Sequence, residues 1–253
     1  MNTRERRRAL LAALQRDKRV IVAELAARFN VTTMTVRRDL RRLAETNVVT
    51  LVHGGAIYNE GGAALPTVTV RAQVMQAAKI RLARYAASLV QEGNAIYLDT
   101  GSTCMAIAQV LAERKNIAVL THSLGVMNIL ASASGIQLFT MAGQYREDLK
   151  GFFGDLTCRD IDGFRIDLAF LGISALSLAD GLLSTDIADQ GVKRKLLETA
   201  RKSIAVADHT KIGKTSFLRV CDLRALDTII TDKEADESFV TGARKQGIEV
   251  VQV

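Results

Sequence analysis

Residues 30–43 read Asn-Val-Thr-Thr-Met-Thr-Val-Arg-Arg-Asp-Leu-Arg-Arg-Leu, and this pattern constrains the fold more than any other stretch. Val36, Leu40 and Leu43 fall at i, i+4 and i+7, one apolar stripe of a helix. Thr32 stands just before it as the N-cap. Thr33, Arg37 and Arg41 share a second face, which Arg38 and Arg42 widen. Upstream, Ala23 to Phe29 has the pattern of a second short amphipathic helix, with Leu25, Ala26 and Phe29 inward. Asn30 lies between the two, and Asn tolerates the left-handed conformation a tight turn often needs. Helix, tight turn and capped basic helix form the arrangement that places a second helix in the DNA major groove. Thr33, Met34, Thr35 and Arg37 then face base edges, while Arg38, Arg41 and Arg42 mainly hold phosphates.

Charge is distributed to match. Residues 1–58 hold twelve Lys and Arg against five Asp and Glu, which is the whole formal excess of +7. Residues 59–253 hold 22 of each and are neutral. Charge confined to one small module is an electrostatic footprint for a polyanion. A solvated basic tail is the alternative. It fits poorly, because the arginines alternate with core positions instead of running as a block.

A chain of 253 residues makes one large domain or two modest ones. The charge break favours two. Residues 1–58 are expected to bind DNA. Residues 59–66 form a linker with Gly61, Gly62 and the only proline, Pro66, and residues 67–253 form a second domain. No stretch of about 18 uncharged apolar residues occurs, so no membrane span is expected. Ala9 to Leu14 is too short for a signal peptide, which predicts a cytoplasmic protein. Cys104, Cys158 and Cys221 are isolated and odd in number, as reduced thiols would be. The three histidines are equally scattered, and neither metal nor cofactor is expected.

Thr3 to Leu14 is expected to be a first helix, packing through Leu10, Leu11 and Leu14. Arg4, Arg6, Arg7 and Arg8 near its start either touch phosphates or are solvated. Val48 to His53 followed by Gly54-Gly55 suits a small β-wing. Beyond residue 67, helices alternate with short apolar strands. A helix ends before Gly93, and further helices are expected over 103–114, 124–132, about 190–201 and about 236–246. Strands are expected at 95–98, 117–120, 136–140, 167–171, 203–207, 228–231 and 248–251. This alternation predicts an α/β fold with a mostly parallel sheet covered on both faces.

Ligands of such sheets bind beyond the carboxyl ends of the strands. There the sequence places Asp99-Thr-Gly-Ser-Thr103, running into a helix. Gly101 admits close approach, and Ser102, Thr103 and the free N–H groups of a helix start favour a phosphate. The same residues are also an ordinary capping sequence. Other strand ends add Thr121-His-Ser123, Gly143 to Arg146, and Gly172 to Ser174, which together predict a small-molecule pocket. Lys193 and Lys211 would supply positive charge. Asp99 and Asp189 would accept hydrogen bonds from sugar hydroxyls or orient the lysines. Spacing alone leaves Asp189 and Lys193 either as a surface helix pair or as groups facing a polyhydroxylated ligand.

On these residues the chain resembles the DeoR family of bacterial transcriptional regulators over nearly its whole length. The specific stretches are Val31 to Leu40, His53-Gly-Gly-Ala56, Asp99 to Thr103, Val192-Lys-Arg194 and Asp208 to Gly213. The resemblance implies a winged helix-turn-helix whose wing brings His53 and Gly54 to the DNA. It implies a repressor of a carbohydrate-catabolic operon. It also implies a ribose-5-phosphate-isomerase-like sensor domain that binds a phosphorylated sugar. The chain departs from the family pattern in having Asn47 for Gly, Thr50-Leu51 where an Arg is usual, His122 for Asn and Asp189 for Glu. The last two bear on which sugar is bound.

A ligand-responsive repressor on double-stranded DNA is therefore the leading reading, acting as a homo-oligomer, dimer or tetramer, so that two modules reach two half-sites. A sugar-phosphate isomerase with an accessory DNA module is the second, with Asp189, Lys193 and Asp208 as acid and base. A nucleoid protein binding through charge alone leaves the second domain unexplained.

Overall fold

The computed structural model describes residues 3–44, 49–58 and 68–253. The expected linker 59–66 and Asn47 lie outside the described residues. Contacts divide the chain into two compact units, Met1–Val74 and Met75–Val253.

In the first unit, helices α1 (Thr3–Asp17), α2 (Val22–Phe29) and α3 (Thr33–Ala44) accompany strands β1 (Arg19–Ile21), β2 (Val49–Val52) and β3 (Gly55–Tyr58), and α4 (Val68–Gln73) follows. The strands form an antiparallel sheet in the order β1-β3-β2. Leu10, Ala13, Leu14, Leu25, Val36, Leu40 and Val49 make its core. Leu11, expected inside, is only half-buried, and Ala13 occupies the core position instead. Asn30 takes the left-handed conformation at φ 52°, ending α2. Thr32 caps α3, its Oγ1 accepting from the Thr35 N–H at 3.2 Å. Gly55 is required by the wing: a Cβ there would lie 2.0 Å from the Val20 carbonyl oxygen.

The second unit contains α5 (Gln76–Ser88), β4 (Ala95–Leu98), α6 (Ser102–Leu111), β5 (Ile117–Thr121), α7 (Leu124–Leu130) and β6 (Ile136–Thr140). A hairpin, β7 (Gln144–Arg146) and β8 (Gly151–Phe153), leads to α8 (Asp155–Asp162) and β9 (Ile166–Gly172). Then come β10 (Ala175–Ser177), β11 (Gly181–Ser184), α9 (Ile187–Thr199), β12 (Ala200–Val206), β13 (Leu218–Cys221), β14 (Thr228–Thr231), α10 (Glu237–Lys245) and β15 (Glu249–Gln252). Seven strands form one parallel sheet, in the order β15-β14-β12-β9-β4-β5-β6. Successive side chains alternate between its faces. Ile96, Leu98 and Phe170 pack with Leu82, Ile107 and Leu130 on one side. Tyr97, Ala169 and Leu171 pack with Ile161, Leu196 and Phe239 on the other. Strands buried on both faces explain the continuous apolar runs in the sequence. From β4 the chain moves outward to β5 and β6, then returns to β9 on the opposite side of β4. The crevice beyond β4 and β9 is therefore the topological switch point, where such sheets bind ligands.

Candidate DNA interface and effector site

In the first unit, the buried stripe of α3 holds one acid as well as Val36 and Leu40. Asp39 is fully buried and receives Arg6 Nε at 2.6 Å and Arg7 Nε at 2.9 Å. Burial works against its charge, and the hydrogen bonds from Arg6 and Arg7 outweigh that, so the carboxyl sits below its ordinary range. Arg6 and Arg7, considered from the sequence as phosphate contacts or solvated groups, are instead the partners that fix α3 against α1. The side chains of Arg4 and Arg8 lie outside the described residues. Asp39 stands three residues after Val36, so helical periodicity already placed it inward.

The opposite face of α3 presents Thr33, Met34, Arg37, Arg38, Arg41 and Arg42, all exposed. Met34 is 69% exposed, a large apolar side chain at the start of a basic helix. Thr35 is half-buried, its hydroxyl 2.9 Å from that of Thr32. Arg37 and Arg41 line a cleft of about 300 Å³ together with Leu51, Val52, His53, Gly54 and Gly55. The basic helix and the wing turn thus converge on one surface, with Gly54 at φ 76° making the turn.

In the second unit, the switch point is occupied by a buried ionic cluster. Asp99 follows β4. Its Oδ1 accepts from the Thr100 N–H at 2.7 Å, and its Oδ2 from the Gly172 N–H at 2.9 Å. Lys193 Nζ lies 2.8 Å from Asp99 Oδ2 and also donates to Asp189 Oδ1. Asp189 Oδ2 accepts from the Ser184 hydroxyl at 2.6 Å. Burial alone would lower the Lys193 pKa, but Asp189 and then Asp99 overcome it and hold the ammonium above its ordinary value. Lys193, expected to offer its charge to a ligand, is thus held between two carboxylates, and the spacing to Asp189 is a buried pair and not a surface one. Gly172 permits this closeness, since a Cβ would lie 2.4 Å from the Thr100 carbonyl oxygen.

The helix that follows Asp99 begins one residue earlier than the sequence suggested. Gly101, at φ 112°, is the N-cap of α6, and no side chain caps that end. Ser102 is buried and Thr103 half-buried there. Beside it, the Thr121 hydroxyl donates to the Leu98 carbonyl at 2.6 Å and accepts from the Ser123 N–H at 3.0 Å. Ser123 caps α7 through the Val126 N–H. Both hydroxyls, expected to reach a ligand, are engaged by the backbone. His122 is fully buried between them, with Nδ1 2.8 Å from the Tyr97 hydroxyl and Nε2 3.6 Å from Asp99 Oδ1. Burial pushes its pKa down to about 4, against the opposing effect of Asp99.

The remaining expected residues lie around this centre. Arg146 pairs with Asp148 and, at 2.8 Å, with Asp186, the N-cap of α9, so it fastens the β7–β8 hairpin. Gly143 is a packing requirement, because a Cβ would lie 2.4 Å from Thr157 Oγ1. Lys211 stands in the short turn after β12, two strands from β4. Among the described residues, His209, Asp232 and Glu234 are close enough to share an ion. His209 Nδ1 already lies 2.9 Å from Asp232 Oδ1, and Glu234 is 3.6 Å from Arg81.

A DeoR-like helix-turn-helix domain matches residues 6–61, and a DeoR C-terminal sensor domain matches residues 74–233. A putative aga operon transcriptional repressor of Escherichia coli O157:H7 is 29% identical over 253 residues, 99% of this chain and 94% of that protein. The glycerol-3-phosphate regulon repressor of Escherichia coli K12 is 30% identical over 238 residues, 92% of each. A solved ribose 5-phosphate isomerase of Methanocaldococcus jannaschii overlaps 54% of each chain at 19% identity, with a TM-score of 0.41. No helix among the described residues is long and apolar enough to cross a membrane. The chain belongs to the DeoR family of transcriptional regulators, with a helix-turn-helix domain followed by a C-terminal sensor domain.

Proposed function

We propose that this regulator represses a carbohydrate-catabolic operon and that a phosphorylated sugar, bound at the β4–β9 crevice, modulates its grip on DNA. Residues 1–58 are the DNA module, and the sensor is the second unit, Met75–Val253. The regulator works in the cytoplasm beside its operator. The observation that carries the reading is the convergence of Arg37 and Arg41 with the wing turn on one cleft. Thr33, Met34, Thr35 and Arg37 read base edges there. Thr32, Arg38, Arg41, Arg42, His53 and Gly54 meet the backbone.

The effector's phosphate sits at the uncapped start of α6, on N–H groups and hydroxyls of Gly101, Ser102 and Thr103. The glycerol-3-phosphate regulon repressor among the relatives favours a phosphorylated effector. Asp99 meets the sugar, framed by Asp189, Lys193, Thr121, Ser123 and Gly172, with Gly143, Arg146 and Lys211 at the periphery. We read the crevice as a receptor, because the relatives are transcriptional repressors. Lys193 is committed to Asp99 and Asp189. Effector binding acts by favouring one of two arrangements of the DNA modules, which requires different affinity for the two. The chain assembles as a homo-oligomer through its second unit, where Leu156, Ile187 and Phe217 are 57%, 73% and 81% exposed. Calorimetry with matched sugars and sugar phosphates, on wild type and Thr103→Val, tests the phosphate site. Equal affinity for the phosphorylated and the free sugar would refute it.

A further inference from the structure

His122 is the group in the crevice whose hydrogen bonding is incomplete. Tyr97 is fully buried, and among the described residues the one acceptor its hydroxyl reaches is His122 Nδ1, at 2.8 Å. If Nδ1 carried the ring proton, the phenolic hydrogen would be buried with no acceptor. Tyr97 therefore donates, Nδ1 accepts, and the neutral imidazole carries its proton on Nε2. The depressed pKa agrees with a neutral ring. That Nε2–H has no hydrogen-bond partner among the described residues. Asp99 Oδ1, at 3.6 Å, is too far to be one.

Resting on the sensor reading above, we propose that His122 Nε2 and Asp99 Oδ1 together select one neutral hydroxyl of the effector. An oxygen about 2.8 Å from both atoms closes a triangle with their 3.6 Å separation. Such an oxygen must accept from Nε2–H and donate to a carboxylate oxygen that already takes the Thr100 N–H. A hydroxyl does both. A phosphate oxygen is repelled by Asp99, an ammonium cannot accept, and a methylene satisfies neither group. A site built in this way rejects the analogue that lacks the hydroxyl, because two buried polar groups are then left facing each other unpaired. Two residues beyond Asp99 lies the open N-terminus of α6, so one ligand carrying both a hydroxyl and a phosphate spans the two features. β8 roofs the imidazole. The Phe152 N–H donates to the His122 carbonyl at 2.8 Å, and the Phe153 ring meets the imidazole edge-on at 4.9 Å.

The test uses the full chain and titrates D-ribose 5-phosphate, D-glucose 6-phosphate, D-fructose 6-phosphate and sn-glycerol 3-phosphate by calorimetry. Each ligand that binds is followed by its monodeoxy analogues. His122→Asn keeps an amide near Nδ1 and removes the Nε2 donor, whereas His122→Gln carries an N–H to about the Nε2 position. About tenfold or greater weakening is expected in His122→Asn, with most of it restored in His122→Gln. One monodeoxy analogue should bind wild type as weakly as the parent binds His122→Asn, with no further loss in that variant. With only three histidines, imidazole ¹⁵N spectra resolve the ring. An Nε2–H tautomer is expected, its resonance moving when the parent ligand binds and not with the deoxy analogue. An Nδ1–H tautomer, unchanged affinity in His122→Asn, or equal binding of every monodeoxy analogue to wild type (the result if a water alone occupies the gap) would overturn the proposal. If none of the four phosphates binds wild type, the sensor reading falls and this inference with it. Tight binding that ignores His122 removes this inference alone.

Discussion

Arg6 on α1 and Asp39 on α3 form a buried ion pair, Nε to Oδ2 at 2.6 Å, that joins the first helix to the second helix of the helix-turn-helix. Removing one partner of a buried pair leaves an uncompensated charge, at a cost of about 3 kcal/mol. Asp39→Ala should therefore lower the urea midpoint of the first unit markedly, and Arg7→Ala, whose own side chain is 37% exposed, much less. The Asp39 carboxyl sits below its ordinary value. The stability it brings is therefore complete above the unfolded value near pH 4 and is lost as pH falls through the folded one. An Asp39→Ala protein that unfolds at the wild-type midpoint would remove the pair from the account.

On DNA, Arg37 and Arg38 should behave differently although they are adjacent. Arg37 lines the cleft shared with the wing, so Arg37→Ala should cost on the order of 1–3 kcal/mol on the operator and relax base preference. Arg38 is exposed outside that cleft. Arg38→Ala should weaken specific and random DNA alike and reduce the salt slope by about one unit. Anisotropy titrations at several salt concentrations separate the two, and an unchanged operator affinity in Arg37→Ala would reassign the reading face.

For His122 the sign of the pH effect follows from its depressed value. The buried ring titrates at about 4, whereas in the unfolded chain it titrates near 6.5, so the unfolded chain takes up the proton first. Stability is full above about pH 6.5, falls as pH drops through the window to about 4, and loses no more to this group below that. The window amounts to about 3 kcal/mol at 1.36 kcal/mol per unit. Denaturation midpoints of wild type and His122→Asn should converge toward pH 4 and separate toward pH 7. Parallel curves would show that the ring is not buried as a neutral group.

Lys193 titrates in the opposite sense. Held above its ordinary value between Asp189 and Asp99, it stabilises the fold at all pH below the unfolded value near 10 and loses that only as pH rises through the folded one. Lys193→Met leaves two buried carboxylates facing each other and should destabilise the second unit by about 3–5 kcal/mol at pH 7. Thermal unfolding of the two proteins measures this. A variant as stable as wild type would contradict the buried cluster.

The parallel sheet was legible because its strands are buried on both faces and read as apolar runs. The helix-turn-helix was legible because stripe, cap and turn residue agree over residues 30–43. Apart from the wing, the small antiparallel pieces were not. β1, β7, β8 and β10 have three residues each, too few to show a period of two, and α8 buries little besides Thr157 and Ile161. In the site, Asp99 and the α6 start were visible as strand-end chemistry. Asp99 meets Lys193 across 94 positions and Arg6 meets Asp39 across 33, and such pairings arise from topology, which local spacing does not encode. Tyr97 was hidden as one apolar residue within a strand.

If Ile187 and Phe217 belong to an oligomer surface, Ile187→Glu combined with Phe217→Glu should lower the sedimentation coefficient of the full chain at micromolar concentration. An unchanged coefficient would place the interface elsewhere.

The proposed function joins DNA reading and the response to a phosphorylated sugar in one chain. The direct measurement selects the DNA this protein prefers from a random pool, then titrates that DNA with and without each of the four sugar phosphates at fixed salt. The account predicts an enriched motif, and an affinity for it that at least one sugar phosphate changes about tenfold while leaving random DNA unaffected. No enriched motif, or a motif whose affinity is the same under every sugar phosphate, would contradict it.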